Sequence, residues 1–247
     1  MKIISWNIAC LPELYNLFGT PKYRIENIIN EIEKIDPDIF CLQEVFSKKA
    51  RERLLIYFSK KYHIQMSRNP RSLMLNMIGL SGGLFIASKY PIIESYYHIY
   101  QDACGEDWFS EKGFLHIVVK KKKKRISIIN THLNADSICS MKDTGSKIRM
   151  KQIYDILSYI SQKNKSDYNL ICGDLNENYI SKLINTINFS LKKSFKYIYI
   201  NSNIFITCES EQLDYIIIYG DIKRKVVYNV ISSIILSDHK IIECIIN

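Results

Sequence analysis

A set of polar residues stands at the ends of apolar runs in this chain, and their types suit one chemistry. Asn7 follows Ile3-Ile4-Ser5-Trp6, Glu44 follows Phe40-Cys41-Leu42-Gln43, and His132 follows Ile128-Ile129-Asn130-Thr131. Asp174 and Asn176 follow Leu170-Ile171-Cys172-Gly173, Asp214 opens Asp214-Tyr215-Ile216-Ile217, and Asp238-His239 precedes the last apolar run. Taken singly, each reads equally well as a turn or a solvated strand end. Together they collect hard oxygen ligands, amides and two imidazoles. Glu44 and Asn7 offer oxygens to Mg2+ or another divalent cation, which prefers one or two carboxylates plus water and substrate phosphate. A histidine with an aspartate partner takes a proton from water near neutral pH. A second histidine and an amide stabilise charge on a phosphoryl group. The combination points to a metal-assisted phosphodiesterase. No G-x-S-x-G elbow supports a serine hydrolase. Gly79-Leu80-Ser81-Gly82-Gly83 lacks the Gly-Lys-Ser/Thr ending of a phosphate-binding P-loop.

Positioning such groups requires a rigid sheet. Lys2–Trp6, Ile39–Leu42, Leu84–Ala87, Phe114–Val119, Ile126–Asn130, Asn169–Cys172, Tyr215–Tyr219 and Ile241–Ile246 read as strands, rich in β-branched and aromatic residues. Several are apolar throughout, so both faces are expected to be covered. Ile25, Ile28, Ile29, Ile32 and Ile35 follow the spacing of an amphipathic helix that stops at Pro37, and Ile153, Ile156, Leu157 and Ile160 mark a second. The basic run Lys120–Arg125 is read as a hairpin tip in preference to a nucleic-acid patch. Mixed pairing with helices outside follows, in one domain spanning 1–247, with no internal repeat.

Composition is that of a soluble globular protein: 47% hydrophobic and 24% charged residues, with 9 Gly and 5 Pro. The net charge of +9 is compatible with phosphate backbones, anionic membrane surfaces or small anions. No apolar stretch reaches the ~18–20 residues of a membrane span. The first residues lack the long apolar core and cleavage site of a secretion signal. The expected location is therefore soluble, either cytoplasmic or peripheral to a membrane. Seven cysteines form no dense framework, and Cys41, Cys172 and Cys244, in apolar runs, read as buried thiols.

The motifs resemble the endonuclease/exonuclease/phosphatase superfamily. Ser5-Trp6-Asn7, Leu42-Gln43-Glu44-Val45, Thr131-His132-Leu133, Gly173-Asp174-Leu175-Asn176, Leu213-Asp214-Tyr215-Ile216 and Ser237-Asp238-His239 occur in its order. Within it the chain is most similar to the neutral sphingomyelinases. Residues 41–46, 81–92 and above all Asp102-Ala103-Cys104-Gly105-Glu106-Asp107-Trp108-Phe109-Ser110-Glu111-Lys112-Gly113-Phe114 carry that likeness, as do Asn134–Cys139, Arg149 and Gln152. The resemblance implies an α/β four-layer sandwich, two packed mixed β-sheets flanked by helices, as in deoxyribonuclease I. It implies Mg2+-dependent hydrolysis of sphingomyelin at a membrane surface to ceramide and phosphocholine. Carried over by position, Glu44 is the principal metal ligand, assisted by Asn7. Asp174 and Asn176 orient the attacking water and contact phosphate or a second metal. His132 stabilises phosphoryl oxygens. His239 is the general base, Asp214 orients it, and Asp238 lies beside it at the metal-phosphate centre, with His239 also counted among the ligands. Cys104 and Cys139 match a bacterial disulfide.

The chain departs from the bacterial enzymes in one way that bears on substrate. Ile218–Ser237 contains no Trp or Phe, where those enzymes carry an aromatic membrane-docking hairpin. Trp108 and Phe109 are the nearest substitutes, and loop anchoring explains them equally well. A Mg2+-dependent nuclease, favoured by the charge, is the alternative within the same chemistry. A catalytically silent binding module on the same scaffold is the alternative outside it.

Overall fold

Strands that are apolar on both faces need cover on both sides, and the computed structural model supplies it with two stacked sheets. It describes all residues except 12–21, 69–80, 109, 137–141, 164–165, 179–180, 202–205, 222 and 233–235. In chain order the described elements are β1 (Lys2–Cys10), α1 (Lys22–Ile35), β2 (Ile39–Val45), α2 (Lys48–Phe58), β3 (His63–Met66), β4 (Phe85–Ser88) and β5 (Ile92–Ile99). There follow β6 (Gly113–Lys121), β7 (Lys124–His132), α3 (Lys142–Ser161), β8 (Tyr168–Asp174), α4 (Lys182–Ser194), β9 (Tyr197–Ile200), β10 (Asp214–Gly220), β11 (Val226–Ile231) and β12 (Ile241–Ile246).

One six-stranded sheet has the order β11-β12-β1-β2-β4-β3, the other β5-β6-β7-β8-β10-β9. Each is mixed: β1 and β2 run parallel in the first, β7 and β8 in the second, and the remaining pairs are antiparallel. Ile3, Cys41 and Ile86 of one sheet meet Leu115, Ile128 and Cys172 of the other in a dry layer between them. Side chains of opposite parity face outward: Trp6 and Phe40 pack under α1 and α2, while Phe114, Ile171 and Tyr215 pack under α3 and α4. This is the expected four-layer sandwich. Each fully buried aliphatic side chain contributes about 1.5–3 kcal/mol, so the inter-sheet layer holds the two sheets together beneath the strand ends.

Two polar side chains cross that layer. Gln43 on β2 donates from Nε2 to Asn130 Oδ1 on β7 at 2.7 Å, and Asn130 Nδ2 donates to the carbonyls of Leu42 and Phe85. The bonds that span the layer tie the two sheets in one register, while Gln43 Oε1 is buried without a partner among the described residues.

The expected strands are all present, several longer than read. β1 continues past Trp6 through a bulge between Asn7 and Cys10, where Ala9 takes a φ of 45°. The strands left unread, β3, β5, β9 and β11, are the two edges of each sheet. The basic run forms the β6–β7 hairpin turn, with Lys121 opposite Lys124. α1 ends at Ile35, and Asp36 adopts a φ of 48° before Pro37, as at many helix C-termini. Helices α2 and α4 were also unread.

Candidate active site

The two parallel strand pairs deliver their carboxyl ends to the same end of the sandwich. In the first sheet the register sets Asn7 of β1 beside Gln43 of β2, so Asn7 and Glu44 are near neighbours. In the second it sets His132 of β7 beside Asp174 of β8. Asp214, the first residue of antiparallel β10, lies opposite Asp174. His239 comes just before β12, the antiparallel neighbour of β1, and its carbonyl accepts a bond from Trp6 Nε1 at 3.0 Å.

Backbone conformations that L-residues avoid mark the rim. Glu44 has a φ of 56° and Asn176 of 49°, both in the left-handed region. Such strain persists where packing holds it and collects at functional sites. Gly173, at φ 146°, is required by crowding: a Cβ there would sit 1.9 Å from the carbonyl oxygen of Thr131.

Asn7 binds the two carboxylates to each other. Its Nδ2 donates to Glu44 Oε1 at 2.9 Å and to Asp174 Oδ2 at 3.0 Å, while its Oδ1 accepts from the Ala9 amide. The amide thus acts as donor, and the oxygen that the sequence reading offered to a metal is turned to the backbone. Asp174 is 1% exposed, and its Oδ1 accepts from the Asn176 amide at 2.9 Å. Asn176 Nδ2 donates to the Leu133 carbonyl. Burial raises Asp174 to about 7, with Asp214 adding to the rise. Burial also raises Glu44, against the opposing pull of Asn7 and Lys112.

His239 Nδ1 lies 2.8 Å from Asp214 Oδ2, and its Nε2 is 3.7 Å from Asp174 Oδ2. Burial disfavours the charged ring, but Asp214 first and then Asp174 and Asp238 overcome it and push His239 up to about 10. Asp214 is fully buried, and among the described residues its Oδ1 has no partner. Asp238 is exposed and held by Ser237, whose hydroxyl lies 3.2 Å from its Oδ1 and 2.7 Å from the Asn7 carbonyl.

His132 is 4% exposed, with Nε2 3.6 Å from Asp174 Oδ2 and 3.9 Å from Glu44 Oε1. Burial, reinforced by the neighbouring Lys112 charge, lowers it well below the usual imidazole range. Lys112 itself was not singled out from the sequence. Its ammonium, on a side chain 1% exposed, reaches Asp107 Oδ1 at 2.8 Å, the Leu133 carbonyl at 3.0 Å and His132 Nε2 at 3.1 Å. As donor to Nε2 it keeps the imidazole neutral, and its positive charge opposes the rise in the proton affinity of Glu44. A lysine immediately before an apolar strand, five residues after an aspartate, was the available signal.

Arg149 on α3 braces the loops after β7 and β8. It pairs with Asp136 at 2.8 and 3.1 Å and Glu177 at 2.7 Å, and donates to the Asn134 carbonyl. Cys104 is disulfide-bonded, whereas Cys10, Cys41, Cys172, Cys208 and Cys244 are free. Cys139 lies outside the described residues, as do Phe109 and the side chain of Trp108. No described helix is long and apolar enough to cross a membrane.

The donor set fits a hard divalent cation. Glu44, His132 and Asp174 place one ligand atom each within 4.8 Å of one another, and so do Asp174, Asp214 and His239. Buried Asp174 and half-buried Glu44, both with raised proton affinity and held by one amide, form the kind of carboxylate pair that coordinates such a cation.

Comparisons with known proteins bear on the family and the fold. Sphingomyelinase C of Bacillus cereus is 35% identical over 196 residues, covering 73% of this chain and 58% of that protein. The chain thus spans little more than half the length of that relative. A crystal structure of beta toxin from Staphylococcus aureus superposes with a TM-score of 0.81 at 23% identity, covering 99% of each chain. A variant of that toxin crystallised with bound magnesium ions gives 0.78 at 24% identity, over 98% of each. These two likenesses concern the fold. The description "Endonuclease/Exonuclease/phosphatase family" matches residues 4–239. That match takes in every described strand but β12 and every group gathered at this end of the sheets, and the chain belongs to the endonuclease/exonuclease/phosphatase family.

Proposed function

We propose that the chain is a Mg2+-dependent phosphodiesterase that cleaves the head group of a choline phospholipid, sphingomyelin first, into ceramide and phosphocholine. The observation that carries the reading is the convergence of Glu44, Asp174, His132, Lys112 and the Asp214–His239 pair at one end of the sandwich. The sphingomyelinase C relatives supply the substrate class.

Glu44 and Asp174 are the residues that would hold the cation, with Asn7 setting their spacing and Asn176 fixing Asp174. When bound, Mg2+ supplies a Lewis acid for a non-bridging phosphate oxygen. His239 removes a proton from water as it attacks phosphorus, through Nε2, the nitrogen that Asp214 does not engage. Asp214 holds the ring through Nδ1 and stabilises the imidazolium that forms. Lys112 carries the positive charge toward the phosphoryl oxygens, and His132 fixes its ammonium. Asp238 sits at the mouth, adding to the field on His239.

A substrate panel in Mg2+ tests this: sphingomyelin, lysophospholipids, phosphoinositides, plasmid DNA and abasic DNA. Release of phosphocholine that chelator stops and Glu44→Gln abolishes is the expected result. Cleavage of DNA with no lipid turnover would transfer the same chemistry to the nuclease reading. Turnover undiminished in excess chelator would overturn the metal's role.

A further inference from the structure

A third group of metal-ligating side chains flanks the same histidine and has a different chemical character. Cys208, Asp238 and His239 each place one ligand atom within 4.8 Å of the others, and Cys208 is only partly buried. Their mutual placement is fixed by backbone. Cys208 forms an isolated bridge with His239, and Lys240 donates to the Thr207 carbonyl at 2.7 Å. Cys208 and Glu211 exchange backbone bonds of 3.1 and 2.8 Å across a tight turn, and Thr207 Oγ1 accepts from the amides of Leu213 and Asp214. The loop that carries the thiol is thus tied to the strand that carries Asp214.

We propose that Cys208, Asp238 and His239 form a second metal site, selective for a borderline or soft divalent cation such as Zn2+, whose occupation silences the neighbouring phosphodiesterase centre. A thiolate, an imidazole and a carboxylate form a zinc-type donor set, with water as the fourth ligand. Mg2+ has no use for sulfur, so the thiol separates the two metals by chemistry. The imidazole is already supported in the manner of zinc-bound histidines: Nδ1 is committed to Asp214 Oδ2 at 2.8 Å, leaving Nε2 for a metal. Ligand atoms on zinc lie roughly 3.5 Å apart, given bonds of about 2.0–2.3 Å. The three residues place ligand atoms within 4.8 Å of one another, and Asp238, the exposed member, is the side chain that can turn to shorten that spacing. A cation there takes up the lone pair with which His239 would accept a proton from water. The inhibition therefore rests on the proposed role of His239, while the binding does not.

Two measurements on the full chain separate these parts. In the first, metal-stripped protein is titrated with Cd2+ and followed by ultraviolet thiolate-to-cadmium absorption. The native chain and Glu44→Gln should both develop the band, and Cys208→Ser should not. In the second, turnover of sphingomyelin at saturating Mg2+ is titrated with Zn2+. Cys208→Ser should keep its zinc-free rate and need at least ~10-fold more Zn2+ for half-inhibition, a loss that even an outer-shell change commonly brings. A band that persists in Cys208→Ser, or equal zinc sensitivity in the two proteins, overturns the site. A band that requires Cys208 without zinc inhibition overturns the regulatory half and counts against His239 as base. If no phospholipid is turned over, the cadmium titration alone still decides the site.

Discussion

Asn7 Nδ2 stands 3.0 Å from Asp174 Oδ2, a contact between residues 167 apart in sequence that joins the carboxyl ends of the two sheets. The same nitrogen reaches Glu44 Oε1 at 2.9 Å, so one amide restrains a buried and a half-buried carboxylate on the two sheets. The metal-free protein depends on that donor. Asn7→Asp removes it and adds a third negative charge. The expected result is a loss of roughly 3 kcal/mol in chelator, or about 6–12 °C in melting temperature for a chain of this size. Mg2+ should restore more stability to the variant than to the native chain, because binding to the folded state alone is stabilising. Thermal melts with and without Mg2+ check this. Equal melting temperatures of the two proteins in chelator would show that the amide bears no such load.

The Asp214–His239 pair predicts how turnover and titration divide. His239→Ala should lose about 10²–10⁴ in rate with little change in substrate binding, as expected for removal of a general base. Asp214→Asn should lose less, since it disturbs the ring's tautomer and charge but leaves the base in place. In chelator the carboxylates hold the His239 proton up to about 10. Histidine NMR should therefore find one imidazole still charged at neutral pH in the metal-free native protein. Its titration should move down on adding Mg2+, which offsets the field of Glu44 and Asp174, and down again in Asp214→Asn. An ordinary titration midpoint in chelated native protein would remove the coupling.

The eight central strands were legible because each is buried on both faces and written as a nearly continuous apolar run, such as IFCLQEV in β2. The four edge strands were not. β5 reads IIESYYHI with four consecutive exposed residues, and β11 reads VVYNVI with none fully buried. Solvent on one side removes the hydrophobic signal while the ladder bonds remain. α2 buries only Ala50, Leu54 and Phe58, too few to outline a face; α4 buries Leu183, Ile184, Ile187 and Leu191, but weak helix formers such as Asn185, Thr186 and Asn188 blur its pattern. The site residues were legible for the opposite reason: each polar group interrupts apolar sequence at a strand end. Lys112 escaped because its one signal, a lysine before an apolar strand and five residues after an aspartate, reads equally well as a solvated strand end until the fold closes around it. Cys208 escaped because its partners, Asp238 and His239, are thirty residues away and meet it only through the bridge beside β12.

Lys112 gives a test in which folding and chemistry separate. Its ammonium is enclosed by Asp107, His132 and the Leu133 carbonyl. Lys112→Met strips the positive charge from the phosphoryl side and leaves Asp107 without its cation, held by the Ala135 amide. Turnover should fall by ~10²–10³, the range for loss of one preorganised donor. Stability should fall as well, because breaking one side of a buried ion pair is costly. Adding Asp107→Asn removes the stranded charge. The double variant should therefore recover melting temperature without recovering turnover. If turnover returned along with stability, Lys112 would be holding the loop and contributing no charge to the reaction.

His116 predicts the acid limb of stability, remote from the proposed chemistry. It lies on β6 beneath α3, 4% exposed, with Nε2 2.9 Å from Ser127 Oγ and Nδ1 2.9 Å from Tyr159 OH. Both hydroxyls satisfy a neutral ring, and neither compensates a charged one. Burial, together with the Lys163 charge, lowers His116 to about 4. The folded state therefore refuses a proton that the unfolded chain accepts near 6.5. Between those values the unfolded state binds more protons, so stability is intact above pH ~6.5, declines as pH falls and levels off below about 4. A gap of about 2.5 pKa units corresponds to roughly 3 kcal/mol across that window. His116→Gln removes the titrating group while keeping hydrogen-bonding capacity toward Ser127. Its stability at pH 7 is expected to be lower than native. Its further loss on going from pH 7 to pH 4 should be smaller by about the same 3 kcal/mol. The remaining acid dependence then belongs to other groups, His132 among them, which burial shifts in the same direction. Denaturant unfolding at the two pH values measures the difference directly. Parallel acid losses in the two proteins would mean that the ring takes up its proton in place, with Ser127 and Tyr159 turning to accept from it.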